Sequence, residues 1–327
     1  MKCCSPKYVL LFLFSILFTS SILLAQKVSF YISAHQDDWQ LFMGVNAYND
    51  IAKSSDSARV VFIYVTAGDY SDCINVSNKV TLPYYLAREK GAKNSVQLAA
   101  DSHKQRFIWE SDTVSINHHL LIRFRYHYTT SYFLRLADGD MEGSRNISLK
   151  NFQQNNFKNN YSIDSLTSYC DWNDLSNTCE AILKHEVKNE DDVWVNMFDT
   201  NRIYNPGDHS DHYETSILFS DGFKNIKATK VVYEGYASAR KHRDSNLKDV
   251  DIMKESGLFA AYNQAMIDNG YTSIWNNDYI SFCNRNYFRT ISNNQQLIIL
   301  SKNFMIGLFI LLVAVLSFFY YSVLKKK

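Results

Sequence analysis

The sequence predicts an α/β fold with a largely parallel sheet, on three observations. Strand-like and helix-like stretches alternate through most of the chain. The run at residues 59–66 (RVVFIYVT) is almost continuously apolar, as in strands covered on both faces. The polar segments with chemical potential follow directly on strand-like runs, and the carboxyl ends of strands form the ligand crevice of open α/β sheets. With 327 residues there is ample material for a buried core. A formal net charge of +1 gives no reason to expect a polyanionic partner, and nucleic acid is disfavoured.

The elements read in order as follows. Lys2 and Lys7 precede an apolar run at 8–24 that closes on Ala25, which reads as a signal peptide over residues 1–25; the competing reading is an uncleaved anchor helix. Residues 28–33 (VSFYIS) form the first strand and lead straight into His35. Apolar residues at helical spacing then predict one helix over 39–52. The strand at 59–66 ends at Ala67-Gly68-Asp69, and Pro83 opens a helix reaching Ala100. Shorter β-like runs lie at 106–109 and 120–128, and the Asn-rich stretch 151–160 reads as a surface loop. A helix over 175–186 precedes a buried strand at 193–198. Further on, a helix at 213–223, a strand at 229–234 and a helix at 250–269 complete the body, residues 26–295.

Residues 304–323 contain no charged side chain and are followed by a basic tail, 324–327. This is long enough to span a bilayer, so a C-terminal transmembrane helix with the tail in the cytoplasm is expected. The body would then be extracytoplasmic and tethered to the membrane. Cys3 and Cys4 would leave with the signal peptide. Cys73, Cys170, Cys179 and Cys283 remain, an even number in a disulfide-permissive compartment, with no pairing fixed by sequence and no CxxC spacing for metal.

Two segments carry the chemistry. In Ala34-His35-Gln36-Asp37-Asp38, an imidazole and two carboxylates sit at a strand-to-helix junction; the competing use of Asp37 or Asp38 is to cap the helix. In Gly207-Asp208-His209-Ser210-Asp211-His212, two imidazoles lie three residues apart at the start of a helix; alone, this reads equally as a polar loop. Together the segments offer two imidazoles and a carboxylate as metal ligands, with a carboxylate and an imidazole to spare for proton handling. The other histidines lack matching carboxylates. His118-His119 falls in a β-like run, where neighbours face opposite sides, and so makes a poor chelating pair.

AHQDD, followed by an apolar strand ending in glycine and a late HSDH, resembles the LmbE/PIG-L family of zinc-dependent N-acetylglucosamine-type deacetylases, whose signature is AHPDD near the start and HPDH later. Arg88-Glu89 with Ala92, the stretch Tyr132-Phe133-Leu134-Arg135-Leu136-Ala137-Asp138-Gly139, and Lys254 with Tyr262-Asn263-Gln264 are similar to further family features. The resemblance implies a Rossmann-like three-layer fold and Zn2+ held by His35, Asp38 and His212. It implies Asp37 as the base that takes a proton from water, and His209 as stabiliser of the oxyanion or proton donor to the departing amine. Asp211 would support one of the two histidines. Arg88, Trp39 and Asp138 would face the substrate, with a surface ion pair as the alternative for Arg88. Gln36 and Trp39 depart from the family pattern, and an indole beside the site would reshape the pocket. The expected activity is removal of an N-acetyl group from an amino sugar or its conjugate. A catalytically silent carbohydrate-binding protein and an amidohydrolase for another N-acyl substrate are the alternatives.

Overall fold

Alternation along two apolar strands sets the architecture. In β1 (Lys27–Ser33) Tyr31 points into one apolar cluster, and Val28, Phe30 and Ile32 point into another. In β2 (Ala58–Thr66) Val60, Phe62 and Tyr64 face the first cluster, and Val61, Ile63 and Val65 the second. Strands apolar on both faces need a layer on each side, and a three-layer α/β/α arrangement results. The computed structural model describes residues 26–70, 74–103, 106–188, 192–223, 226–240 and 243–291.

The remaining strands are β3 (Glu110–Ile116), β4 (His119–Tyr126), β5 (Thr129–Leu136), β6 (Asn160–Tyr161), β7 (Ser168–Tyr169), β8 (Asp192–Phe198), β9 (Ala228–Tyr233) and β10 (Phe288–Ile291). The main sheet has the order β10-β9-β8-β1-β2-β5-β4-β3. Its inner five strands are parallel, whereas β10 pairs antiparallel with β9, and β3, β4 and β5 pair antiparallel in sequence. The expected largely parallel sheet is therefore corrected to a mixed one. The reason is local: Asn117 and His118, both at positive φ, form a two-residue turn that folds β4 back on β3. His118 is thus a turn residue, not part of a strand. The β3 edge is charged, with Glu110 opposite Arg125 and Asp112 opposite Arg123.

The helices are α1 (Asp38–Phe42), α2 (Gly44–Ala52), α3 (Tyr84–Ala100), α4 (Leu149–Gln153), α5 (Trp172–Glu186), α6 (Ser210–Gly222), α7 (Ala237–Arg240), α8 (Asp249–Asp268) and α9 (Asn277–Ile280). On one face α3 packs against α8, so closely that a Cβ on Gly91 would lie 2.6 Å from the Tyr262 ring. On the other face α5 packs against α6. The helix expected over 39–52 is two helices, broken at Met43, whose φ of −132° and ψ of 7° leave the helical region. Residues 106–109 are not a strand; the pairing begins at Glu110.

The expected transmembrane helix is also corrected. Among the described residues no helix is long and apolar enough to cross a membrane. The longest, α8, has 20 residues but carries Asp249, Asp251, Lys254, Glu255 and Asp268. Residues 1–25 and 304–327, on which the signal peptide, the tether and the basic tail were expected, lie outside the described residues. The tethered extracytoplasmic arrangement and the membrane partner are accordingly not supported. Cys170, Cys179 and Cys283 are free thiols, and Cys73 lies outside the described residues.

The strand β1 lies at the centre of the parallel set, with β2 on one side and β8 on the other. The chain therefore reverses its direction of sheet growth between β1 and β8, and the crevice at such a switch point is where α/β sheets hold ligands.

Candidate metal centre

Five segments meet beyond the carboxyl ends of the parallel strands: His35–Asp38 after β1, Gly68 and Asp69 after β2, Asp138 after β5, Asp208–His212 after β8, and Tyr236 after β9. The turn after β1 is tied by the Asp38 carboxylate, whose Oδ2 accepts the His35 backbone N–H at 2.7 Å. Asp37 makes no side-chain cap at α1, so helix capping does not account for the paired aspartates.

His35 Nδ1 lies 3.3 Å from Asp38 Oδ1, and His212 Nε2 lies 3.1 Å from the same oxygen. The three residues are all buried, and their donor atoms lie within 4.8 Å of one another. Zinc bonds of about 2.0–2.1 Å place tetrahedral ligand atoms roughly 3.3 Å apart, so both separations fit a shared divalent ion. The outer nitrogens face carboxylates. His212 Nδ1 faces Asp208 Oδ1 at 3.0 Å and Oδ2 at 3.1 Å. His35 Nε2 is 3.3 Å from Asp138 and 3.5 Å from Asp211. Carboxylates on the outer nitrogens fix ring orientation and raise ligand basicity. The ring of His212 is further stacked on Phe198, with centroids 3.8 Å apart.

The electrostatics follow from this packing. Burial alone would lower the pKa of both histidines, but the carboxylates outweigh it. Asp38 and Asp138 hold His35 well above its usual range, and Asp208 and Asp38 hold His212 up at about 9. Asp38, despite burial, is held well below the usual carboxylate range by His212 and His35. Such a site favours a cation in place of the imidazole protons. His209 differs. Burial, with His35 and His212 beside it, lowers its pKa to about 3, so it is neutral. Its Nδ1 accepts the Asp211 backbone N–H at 3.1 Å.

A second group, His35, Asp138, His209 and Asp211, has the same donor spacing. Much of its capacity is already committed to backbone: Asp211 Oδ2 accepts Gly139 N–H at 2.8 Å, and Asp138 Oδ1 accepts Asp140 N–H at 2.9 Å. Asp38 likewise gives Oδ2 to the His35 backbone N–H, so each carboxylate keeps one oxygen for an ion, and the two groups share His35.

Above the cluster is an open cleft of about 190 Å³, its wall including His35, Asp37, Arg88, Asp138, His209 and Tyr236. Asp37 Oδ1 accepts from Arg88 Nη2, and Arg88 Nη1 reaches the Gly68 carbonyl at 3.4 Å. Arg88 is therefore neither a surface residue nor unengaged: it anchors Asp37. Trp39 is a correction. Expected beside the substrate, it is wholly buried, its Nε1 donating to Tyr64 OH at 2.9 Å and its ring against Phe62. One residue beyond Asp38, it turns into the layer between helix and sheet.

The roles of Asp208 and Asp69 were not assigned from the sequence. Asp208 stands four residues before His212, a spacing that puts both on one side of a helical turn, and that spacing was available. Asp69 receives the Asp138 backbone N–H at 2.8 Å, and only the strand pairing brings these two together.

No family model matches the chain, and no curated protein matches it. Among solved structures it is similar to N,N'-diacetylchitobiose deacetylase from Pyrococcus horikoshii complexed with its inhibitor MPG, with a TM-score of 0.41 at 12% sequence identity, covering 90% of this chain and 99% of that one.

Proposed function

We propose that this protein is a zinc-dependent hydrolase that removes an N-acetyl group from an amino sugar or its conjugate. The observation that carries the reading is that Asp37 and His209 share one cleft wall with His35, directly beside the three-donor cluster. The resemblance of the AHQDD and HSDH segments supplies the substrate class.

His35, Asp38 and His212 would hold the ion. A divalent zinc there supplies Lewis acidity toward water and an acyl oxygen. The other steps belong to the chain. Asp37, with Oδ1 committed to Arg88, offers Oδ2 to take a proton from water and later return it to the departing amine nitrogen. His209 accepts a backbone N–H at Nδ1, so its proton sits on Nε2. That N–H donates to the oxygen on which negative charge develops. Neutral under working conditions, His209 acts as hydrogen-bond donor rather than as an acid.

The test is to measure zinc bound by the purified protein and to follow release of free amine from a panel of N-acetylated sugars. Stoichiometric zinc and turnover that chelation abolishes are expected, with Asp37→Asn keeping its zinc and losing turnover. An Asp37→Asn variant as fast as wild type would sink the mechanism. Glycan binding without turnover would favour the carbohydrate-binding alternative, and release of amine only from N-acylated peptides or lipids would move the substrate class.

A further inference from the structure

Arg135 ties Glu89 of α3 and Asp164 of the β6–β7 turn to one strained point of backbone. It lies in β5 at φ +58°, a left-handed conformation that costs a non-glycine residue about 1–2 kcal/mol. The pairing with β2 shows what that conformation does. Tyr64 is opposite Phe133, but Thr66 is opposite Leu136, so β5 carries one extra residue over this interval. A bulge of this kind re-aims whatever follows it. With regular pairing, Ala137 would occupy the position relative to β2 now held by Asp138, and the carboxylate would be displaced from His35.

A glycine would adopt this φ without strain, so the arginine side chain has to repay its presence. Its Nε and Nη2 donate to Glu89 Oε1 and Oε2 at 2.6 and 2.7 Å, and Nη1 donates to Asp164 at 2.5 Å. Glu89 is almost wholly buried. It follows Arg88 in α3, and Arg88 holds Asp37; three residues beyond Arg135, Asp138 faces His35 Nε2 at 3.3 Å.

We infer that Arg135 is a positioning residue of the metal centre: clamped by Glu89 and Asp164, it holds the bulge that sets Asp138 against His35. The inference rests on the metal-centre reading but concerns a different link, the support of the His35 ring.

Arg135→Gly is the informative variant, since it keeps the backbone conformation and removes the clamp. Two readouts are needed: zinc affinity by chelator competition, and the imidazole nitrogen NMR signals of His35 in metal-free, histidine-labelled protein. The expected results are a fall in zinc affinity of about tenfold or more, and a changed His35 Nε2 signal as Asp138 moves away. Arg135→Lys, which retains charge without the bidentate fork, should recover part of both. A folded Arg135→Gly protein with wild-type zinc affinity and an unchanged His35 signal overturns the proposal. If Arg135→Gly does not fold, Asp164→Asn, which weakens one arm of the clamp, decides by the same readouts. If wild type holds no zinc, the metal reading fails, and the His35 signal alone decides the role of Arg135.

Discussion

Asp208 and His212 face each other one helical turn apart, the carboxylate 3.0 Å from Nδ1, and this directs Nε2 at Asp38. The same carboxylate accepts Asn205 Nδ2 at 2.8 Å and the Tyr236 backbone N–H at 3.0 Å. It fits only because residue 235 is glycine: a Cβ there would lie 2.4 Å from Asp208 Oδ1. Replacing Asp208 by Asn should leave the fold intact and weaken zinc binding by roughly 10–100-fold, measured by competition with a chelator. Unchanged affinity would mean that Asp208 is only a structural hydrogen-bond acceptor.

Arg88 anchors Asp37, so its loss should appear in the chemical step. For Arg88→Ala we expect kcat to fall about 100-fold, in the range of a lost general base, with KM within about threefold of wild type. Steady-state kinetics on the best N-acetylated sugar separates the cases. A large rise in KM at constant kcat would instead make Arg88 a substrate-binding residue.

Glu255 should make the protein less stable as pH rises. It is wholly buried in α8. Burial pushes its pKa well above the usual range, with the Val45 N–H opposing and Asp251 adding to the shift. Below the unfolded-state pKa of about 4.3 the group is neutral in both states and has no effect. Above it, the unfolded chain ionises while the folded chain holds its proton, so stability declines until the folded pKa is passed. Glu255→Gln should remove this slope. Urea midpoints of variant and wild type should diverge in favour of the variant between pH 5 and 8; parallel profiles would refute the assignment.

Trp39 belongs to the core, so Trp39→Phe should cost stability rather than function. Losing the Nε1–Tyr64 hydrogen bond should destabilise by about 1 kcal/mol, read from chemical denaturation. Zinc affinity should stay within twofold of wild type, and a tenfold loss would return the indole to the site.

How far the sequence discloses all this depends on the range of each cause. The strands at 28–33 and 59–66 and the helix after Pro83 are legible because apolar pattern and local capping specify them. The two histidine segments are legible because each packs several ligand types into a few residues. By contrast β3, ESDTVSI, has mostly exposed or half-exposed side chains and reads as polar chain; only its pairing with β4 makes it a strand. The break at Met43 is a backbone turn that the helical spacing of apolar residues does not show, and the Trp39 environment depends on Tyr64. Nothing in the residue type announces a left-handed Arg135. Even the partner of Arg88 required the strand order, since it joins α3 to the turn after β1.

The charged β3 edge has a consequence of its own. An outermost strand offers unpaired backbone groups to any passing strand, including that of a second copy, and charged side chains are a common way to discourage such growth. Glu110 and Asp112 lie on this strand, held by Arg125 and Arg123 of β4. A second copy arriving edge to edge would bring the same acidic pair against them. The edge farthest from β10 therefore carries charge where a bare strand would invite a further one.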